Sequence, residues 1–466
     1  MLFLNRSSEL RELAGLADGG GLAVVWGRRR IGKTRLLLEW CERAHGVYTV
    51  ADQAGAEAQR AYFARAVAEV LPGFADVVYP DWERLLTRLA ADATGRGFTG
   101  PVVIDELPYL VSSSPELPSV LQRWIDHDAK RARLQLALAG SSQRMMQGLV
   151  LGHEAPLFGR ARALLDLQPL GPEHLRGGLG PMSAAAVVEH WAAWGGVPRY
   201  WELAATRRGP VSARVVELAL APTGPLFSEP ERLLLEETPS AIEMRPVLDA
   251  IGGGAHRLSE IAGRLAVPAT SLGRPLDRLV GMGFVRREVP YGEPARSGKR
   301  SLYKLDDSFL RLWFRVVAPN RAALVAGNSA SRAALLAEHW AALLGNAWED
   351  LCRRSLVSLR KGAVGRRGPW RPAMRYWHGN EPEWDLVADA LEGSSVLVGE
   401  AWFSSRPVSA EVARREASRL ASRPLPAAVR SADVVRALFV PALAAGAPRT
   451  VGDVHLVTLD ELIGKR

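Results

Sequence analysis

One short segment constrains the fold of this chain more than any other. After the apolar run at residues 22–26, the sequence reads Gly27, Arg28, Arg29, Arg30, Ile31, Gly32, Lys33, Thr34 and Arg35, and an apolar, helix-like run follows. Glycines let the backbone wrap around a phosphate, and the N–H groups at the start of the helix then point at the anion. The G-x-x-x-x-G-K-T spacing between a strand and a helix therefore predicts a nucleotide-binding P-loop, and a purely structural Gly-Lys turn is the alternative.

A second segment has the chemistry that such a loop needs. An apolar strand at residues 102–104 ends in Asp105 and Glu106, about 70 residues after the P-loop. We expect Thr34 and Asp105 to hold Mg²⁺, Lys33 to reach the β- and γ-phosphates, and Glu106 to polarise the attacking water. Two acids at the end of a strand can also be simple solvated cap residues.

Further residues are candidates for sensing or stabilising the γ-phosphate. A third apolar strand ends in Gly140, Ser141 and Ser142, so either serine could sit beside the phosphate, or the segment could be a plain turn. Arg160 and Arg162 are candidates for an arginine finger, which stabilises charge on the transferred phosphoryl group. An ordinary salt bridge is an equally good interpretation of either arginine.

Together these segments resemble the archaeal-type ATPase family, which is grouped with the AAA+ and STAND-like P-loop NTPases. The resemblance covers about residues 1–235. It implies ATP and Mg²⁺ as cofactors, a helical lid after the core, and contact of Pro198 with the adenine. The residues that carry it are the P-loop, Phe3-x-Asn5-Arg6-x-x-Glu9-Leu10, Ile104-Asp105-Glu106, Gly140-Ser141-Ser142, Leu157-Phe158-Gly159-Arg160 and Gly195-Gly196-Val197-Pro198-Arg199-Tyr200.

The next region is typical of a winged helix-turn-helix. Helical patterns at residues 245–251, 258–265 and 269–282 precede two strand-like pieces at 284–289 and 301–305. In such modules the third helix enters the major groove of DNA and the wing contacts the backbone. We expect DNA contacts, with Arg286 and Arg287 able to neutralise phosphates as well; a role in protein interaction alone is the alternative. The DNA-contact candidates are Arg274, Arg278, Arg296, Lys299 and Arg300.

The C-terminal region resembles the PD-(D/E)XK nuclease-like domain (DUF234) that follows this ATPase core in its family. Glu349 lies in a helical pattern, and Asp385 and Glu400 lie in consecutive strand-like runs, so the resemblance implies a divalent metal site. The family pattern of acid-x-Lys reads Glu400-x-Trp402 here. Because Trp can neither activate water nor balance phosphate charge, we expect this domain to be degenerate, and cleavage is left as an alternative. The three acids can also be ordinary polar residues that hold no metal.

Composition limits the class of protein. The 466 residues have a net charge of +9 and a pI of about 9.9, which suits a polyanionic partner such as DNA, and a proteome bias toward Arg is the alternative. The two cysteines, Cys41 and Cys352, do not form a disulfide pattern. We find no signal peptide and no membrane-spanning run, and we expect a cytoplasmic location and no membrane partner.

The predicted fold class is α/β. A P-loop NTPase parallel sheet (1–170) and a helical lid (171–238) precede a winged helix-turn-helix (239–318) and an α/β restriction-endonuclease-like domain (335–466). The leading functional hypothesis is an ATPase whose nucleotide state controls DNA binding or remodelling. A STAND-like switch acting on protein partners and an active ATP-linked nuclease are the alternatives. Whether the chain forms a homo-oligomer, with a finger acting in trans, is left open.

Overall fold

The computed structural model describes residues 4–141, 143–237, 243–294, 296, 298, 300–430 and 433–464. The chain divides into two compact units. The first comprises the residues up to Pro169 together with Val197–Arg199, and the second comprises Leu170–Gly196 and the residues from Tyr200 onward. Apart from Val197–Arg199, the predicted lid, winged helix and nuclease-like domain lie in the second unit, so the boundaries between them stay predictions.

The first unit is a three-layer α/β structure around one parallel sheet. Its elements are α1 (Ser7–Ala14), β1 (Gly21–Trp26), α2 (Lys33–Ala44), β2 (Val47–Val50), α3 (Ala56–Ala68), α4 (Trp82–Arg96), β3 (Pro101–Asp105), α5 (Leu107–Ser113), α6 (Leu117–Trp124), β4 (Gln135–Gly140), α7 (Gln143–Met146) and β5 (Ala161–Asp166). The strand order is β2-β3-β4-β1-β5, and every pair is parallel.

Burial on both faces explains why the central strands are almost entirely apolar. In β1, Leu22 and Val24 pack into one apolar cluster, whereas Ala23 and Val25 pack into a second cluster on the other face. Parallel strands covered by helices on both sides read as continuous hydrophobic runs for this reason. The strand order also places β4 between β1 and β3, so the segments that follow these three strands share one edge of the sheet.

Most of the rest of the chain is helical up to residue 355. The helices are α8 (Leu175–Leu179), α9 (Ala184–Trp194), α10 (Pro198–Ala205), α11 (Val211–Val215), α12 (Glu229–Glu237), α13 (Arg245–Gly252), α14 (Leu258–Leu265), α15 (Gly273–Gly281), α16 (Ser308–Leu312), α17 (Arg321–Ala326) and α18 (Ser329–Ser355). In α18, the side chain of Asn328 accepts a hydrogen bond from the Ser331 amide, which caps the first turn.

Three of these helices and a two-stranded hairpin have the order that we predict for a winged helix. Helices α13, α14 and α15 precede the antiparallel strands β6 (Val285–Glu288) and β7 (Leu302–Leu305). We call these elements the helix–hairpin module. The predicted third helix begins instead as a 3₁₀ turn at Ala269–Leu272, directly after Pro268.

A mixed six-stranded sheet forms the C-terminal part of the second unit. Its elements are β8 (Met374–Tyr376), β9 (Trp384–Asp389), β10 (Val396–Ala401), α19 (Ala410–Ala421), β11 (Val434–Val440), β12 (Thr450–Val451), β13 (Val454–Thr458) and α20 (Leu459–Ile463). The order is β12-β13-β11-β10-β9-β8, with β10, β11 and β13 parallel to one another. The α/β character that we predict for this region is confirmed, and the two runs that contain Asp385 and Glu400 form β9 and β10.

Within the part of the chain that the structure describes, no helix is both long enough and apolar enough to cross a membrane.

Candidate functional site

The P-loop lies where β1 ends and α2 begins, as predicted. Three of its residues have positive φ angles: 135° at Gly27, 70° at Arg30 and 95° at Gly32. A Cβ placed on Gly27 would lie only 2.5 Å from the carbonyl oxygen of Leu167. Gly27 is therefore required by close packing as well as by conformation, whereas Gly32 is required by conformation.

Lys33 folds back over this loop. Its side chain is buried, and Nζ donates to the carbonyl oxygens of Gly27 at 2.6 Å and of Arg28 at 3.2 Å. The ammonium group is thus held inside the turn whose backbone surrounds the predicted phosphate position. Its predicted contact with the β- and γ-phosphates stays a prediction.

Arg6 anchors the loop from outside. It is buried with a left-handed φ of 97°, and its guanidinium donates to the carbonyl oxygen of Ile31 at 3.0 Å and to that of Gln168 at 2.7 Å. Glu9 accepts a third bond at 2.9 Å. The Asn5-Arg6-x-x-Glu9 motif carried the family resemblance, but no spacing rule assigned Arg6 this contact with the P-loop.

Asp105 meets Thr34 at the shared edge of the sheet. The Thr34 hydroxyl donates to Oδ2 of Asp105 at 3.0 Å, and the Tyr48 hydroxyl donates to the same oxygen at 2.8 Å. Burial and the negative charge of Asp105 raise the pKa of Tyr48. The two residues predicted to hold Mg²⁺ are therefore side by side, with Tyr48 as a third member that had no recognisable motif in the sequence.

Glu106 is held by the neighbouring strand. Its backbone has a left-handed φ of 55°, and its amide donates to Oδ1 of Asp105 at 2.9 Å. The hydroxyl of Ser141, which follows β4, donates to Oε2 of Glu106 at 2.9 Å. Ser142, the other candidate, lies outside the described residues.

The three consecutive arginines of the P-loop are half-buried. Arg29 donates to the hydroxyl of Tyr109 at 3.2 Å. Arg35, in the first turn of α2, is exposed and lies 4.0 Å from Glu39. Pro198 lies close to the loop as well, since its Cγ is 3.9 Å from the position of a Cβ on Gly32. Its predicted contact with adenine stays a prediction.

The structure corrects the interpretation of Arg160 and Arg162 as fingers within their own chain. Arg162 donates to the carbonyl oxygen of Asp18 at 2.8 Å and to that of Gly20, just before β1 begins. Arg160, just before β5, makes bonds of 2.9 Å with Asp126. Because β1 spans about 17 Å and the P-loop follows its other end, both arginines lie at the opposite edge of the sheet. Action on a neighbouring copy stays a prediction.

The DNA-contact candidates differ in exposure. Arg274, on α15, and Arg296, in the hairpin loop, are exposed, whereas Arg278 is half-buried. Arg300 is exposed and pairs with Glu293, and Lys299 lies outside the described residues.

The expectation that Arg286 is a surface phosphate contact is wrong. This arginine, on β6, is largely buried and pairs with Glu288, Asp306 and Asp350 at 2.8–3.4 Å.

The three acids of the predicted nuclease site are near one another but differently engaged. Burial and the charge of Asp385 raise the pKa of Glu349. Burial, with a further contribution from Glu400, raises that of Asp385, whose Oδ2 accepts from the Ala401 amide at 3.0 Å.

Both oxygens of Glu400 pair with arginines, one with Arg419 on α19 at 2.9 Å and the other with Arg423, which follows α19. In the described ranges no group of three or more acids, histidines or cysteines is arranged to hold a metal ion. The predicted three-acid site therefore stays a prediction, with Glu400 the member least available to a metal.

Comparison with known proteins supports an N-terminal ATPase domain followed by a DUF234 region. Residues 3–203 match the family model of an ATPase domain predominantly from Archaea, and residues 313–417 match DUF234, a family of archaeal and bacterial proteins of unknown function. An uncharacterised protein of Methanocaldococcus jannaschii is 28% identical over 391 residues, which are 83% of this chain and 84% of that protein.

Among solved structures, the Walker-type ATPase of Pyrococcus abyssi is similar to this chain with a TM-score of 0.53 and 19% identity. The match covers 67% of this chain and 96% of that one. The resemblance to the archaeal-type ATPase family with a DUF234 region is therefore confirmed, and so is the predicted fold class.

Proposed function

We propose that the first unit binds and hydrolyses ATP with Mg²⁺, and that its nucleotide state controls DNA binding by the helix–hairpin module. One observation carries the first half of this proposal: the Thr34 hydroxyl is 3.0 Å from the Asp105 carboxylate, at the strand edge that also bears the P-loop. The match of residues 3–203 to an ATPase domain supports it.

The residues at this edge fit the two cofactors. Hydroxyl and carboxylate oxygens, as in Thr34 and Asp105, are the ligands that Mg²⁺ prefers. The tight turn at Gly27, where a Cβ would clash with Leu167, provides the narrow backbone cradle that phosphate binding needs. When bound, Mg²⁺ would neutralise charge on the β- and γ-phosphates.

The protein groups then have separate tasks. Lys33, already inside the loop, would exchange its carbonyl partners for phosphate oxygens. Glu106 would orient the attacking water, and Ser141 would hold its carboxylate toward the P-loop, because β4 lies between β3 and β1. Positioning and charge neutralisation supply most of the catalysis of phosphoryl transfer.

The DNA half of the proposal depends on the surface of the helix–hairpin module. Arg274, Arg296 and Arg300 are exposed on the elements that would face the groove and the backbone, and the chain has a net charge of +9. Phosphate contacts from such residues provide most of the affinity of non-specific binding.

We also propose that the C-terminal sheet does not cleave DNA. Trp402 occupies the position of the lysine in the family pattern and packs against the apolar cluster under α19. Glu400 is neutralised by Arg419 and Arg423. Cleavage of plasmid or linear DNA with Mg²⁺ or Mn²⁺ that is lost in Asp385→Ala would contradict this proposal.

The test is ATP turnover with and without duplex or single-stranded DNA. We expect hydrolysis that DNA stimulates, that Lys33→Ala abolishes, and that Lys130→Ala, a matched change of an exposed lysine in the same unit, leaves intact. Turnover unaffected by DNA, with self-association that requires ATP, would favour a signalling switch that acts on protein partners. Normal turnover in Lys33→Ala would overturn the ATPase assignment itself.

A further inference from the structure

A cavity of about 300 Å³ lies within the second unit, among helices α9, α13, α16 and α18 and the hairpin of the helix–hairpin module. Five cations line it, and no Asp or Glu is among the described residues of its wall. The five cations are Arg286, Lys304, Arg311, Arg315 and Arg353. Such a concentration of one charge inside a folded unit is costly unless something balances it.

Carboxylates behind the wall balance this charge only in part. Glu349 pairs with Arg353 at 3.5 Å, and Glu288, Asp306 and Asp350 each lie within 3.7 Å of at least two cations. These four carboxylates are shared between the wall cations and two more behind them, Arg354 and Arg375. Asp350, for example, forms ion pairs with both Arg311 at 2.7 Å and Arg286 at 2.9 Å. The wall therefore keeps an excess of positive charge.

Two features of individual groups reflect that excess. The Nε of Arg311 is buried and makes no hydrogen bond with any residue that the structure describes. Burial lowers the pKa of Lys304 to about 8, and the positive charges of Arg375, Arg353 and Arg286 act in the same direction against the opposing charge of Glu288. An anion in the cavity would raise the pKa of Lys304 again and provide a hydrogen-bond acceptor near the Nε of Arg311.

The burial of these cations indicates the size of the anion. The side chains of Arg286, Lys304, Arg311 and Arg353 are only 9–20% exposed, so a DNA duplex could not reach them from outside. Arg315, by contrast, is exposed. A volume of about 300 Å³ lies at the lower end of the range for small-molecule sites.

The rest of the wall suits a ligand with an organic body. Ile251, Leu305 and Leu343 provide apolar surface, while Asn346 and His339 provide neutral hydrogen-bonding groups. Inorganic phosphate alone would leave the apolar surface uncovered, whereas a sugar phosphate or a mononucleotide would use both kinds of wall.

We propose that this cavity is a binding site for a small phosphorylated metabolite, of the size of a sugar phosphate or a mononucleotide. The phosphate would contact Lys304 and Arg311, and Arg315 would close over it from the solvent side. Because the hairpin supplies Lys304 and α18 supplies Arg353, a bound ligand would hold the helix–hairpin module against the long helix. The site is separate from the P-loop residues.

The test uses the full-length chain with Lys33→Ala, so that the P-loop does not contribute. Ribose 5-phosphate, AMP and inorganic phosphate are titrated by calorimetry, with sulfate as the non-specific anion. We expect ribose 5-phosphate or AMP to bind in the sub-millimolar range, more tightly than phosphate and much more tightly than sulfate. Ligand at saturating concentration should also raise the melting temperature.

Matched variants then locate the site. Lys304→Gln and Arg315→Gln should each weaken binding about 10- to 100-fold, because each removes a charge-assisted hydrogen bond. Lys304→Arg should retain binding, and Arg414→Gln, a change of an exposed arginine on α19, should have no effect. If Lys304→Gln does not fold, Arg315→Gln still decides the question, because that side chain is exposed.

Three results would overturn the proposal. They are the absence of binding by every organic phosphate, binding no tighter than that of sulfate, and binding unchanged in both Lys304→Gln and Arg315→Gln. Displacement of the bound probe by a DNA duplex would assign these cations to a nucleic-acid surface instead. None of these results bears on ATP hydrolysis by the protein with Lys33 intact.

Discussion

Ser141 donates a hydrogen bond of 2.9 Å from its hydroxyl to the carboxylate of Glu106, and its amide lies 3.4 Å from the same oxygen. The two residues follow adjacent parallel strands, β4 and β3, and β4 is the neighbour of the strand that leads into the P-loop. The bond therefore fixes the proposed water-orienting carboxylate at the sheet edge that bears the P-loop.

Removing this bond should slow hydrolysis without weakening nucleotide binding. In Ser141→Ala we expect kcat to fall about 10-fold, because the Glu106 carboxylate loses a fixed donor, while the Kd for ATP stays unchanged. Ser141→Thr, which keeps the hydroxyl, should restore most of the rate. Single-turnover hydrolysis and a separate binding titration check both, and a faster Ser141→Ala enzyme would mean that the bond restrains Glu106.

Glu106 itself should matter for the chemical step alone. We expect Glu106→Gln to lower kcat by about 10²- to 10⁴-fold, the usual range for a general base, with ATP affinity retained. Glu42→Gln, an exposed glutamate on α2, is the matched control and should behave as the wild type. Hydrolysis at the normal rate in Glu106→Gln would remove this residue from the mechanism.

Loss of the Arg6 anchor should destabilise the first unit and loosen the P-loop. Arg6→Ala leaves the carbonyl oxygens of Ile31 and Gln168 without their donor, which should cost about 2–4 kcal/mol of unfolding free energy. We also expect weaker ATP binding. Urea denaturation and a binding titration measure the two effects, and Arg11→Ala, which removes an exposed arginine of α1, should show neither.

DNA binding should depend on the exposed face of the helix–hairpin module. Arg274→Gln should lower the affinity for duplex DNA and reduce the dependence of log K on log salt by about one unit, if Arg274 contacts one phosphate. Fluorescence anisotropy at several salt concentrations measures both quantities. Arg414→Gln also removes one positive charge, but on α19, outside the module. An equal effect in the two variants would therefore indicate non-specific electrostatic attraction.

His190 should make the second unit less stable in acid. Burial, assisted by the positive charge of Arg214, lowers its pKa to about 4 from an unfolded value of about 6.5. The unfolded chain then takes up the proton first, so stability is complete above pH ~6.5 and falls by up to about 3 kcal/mol as the pH approaches 4.

Comparison of urea unfolding at pH 7 and pH 4.5 tests the contribution of His190. His190→Leu should lose less stability between these pH values than the wild type does. His127→Gln, an exposed histidine in the first unit, should lose as much as the wild type. Equal losses in all three proteins would show that acid instability comes from other groups.

The contrast between correct and incorrect predictions follows from the range of the interactions. The P-loop, the Asp105–Glu106 strand end and most of the strands of both sheets depend on local spacing and on apolar periodicity, which a sequence displays directly. The sequence predicts a helix from Ala269, whereas the structure has a 3₁₀ turn before α15, because the two conformations have nearly the same pattern over four residues. Strands β8 and β12 are too short to carry a periodic signal.

Residue roles that depend on chain packing are harder to predict from the sequence. Arg286, on the strand before the wing, reads as a phosphate contact, yet it is largely buried and pairs with Asp350, 64 positions later on α18. Arg162 stands next to a family motif, but the direction of β5 carries it to the edge opposite the P-loop. Tyr48 belongs to no recognisable motif. Its role is a hydrogen bond from β2 to Asp105 on β3, and these two strands are neighbours only in the folded sheet.

By itself, then, the sequence determined the nucleotide-binding chemistry and the α/β class, because the P-loop requires glycines, a lysine and a threonine at fixed local spacing. The tertiary structure alone decided which distant residues contact one another: it placed Thr34 beside Asp105, bonded Ser141 to Glu106, paired Glu400 with two arginines and gathered five cations around one cavity. Those relationships join residues tens to hundreds of positions apart, and only the packing of strands and helices brings them within hydrogen-bonding distance.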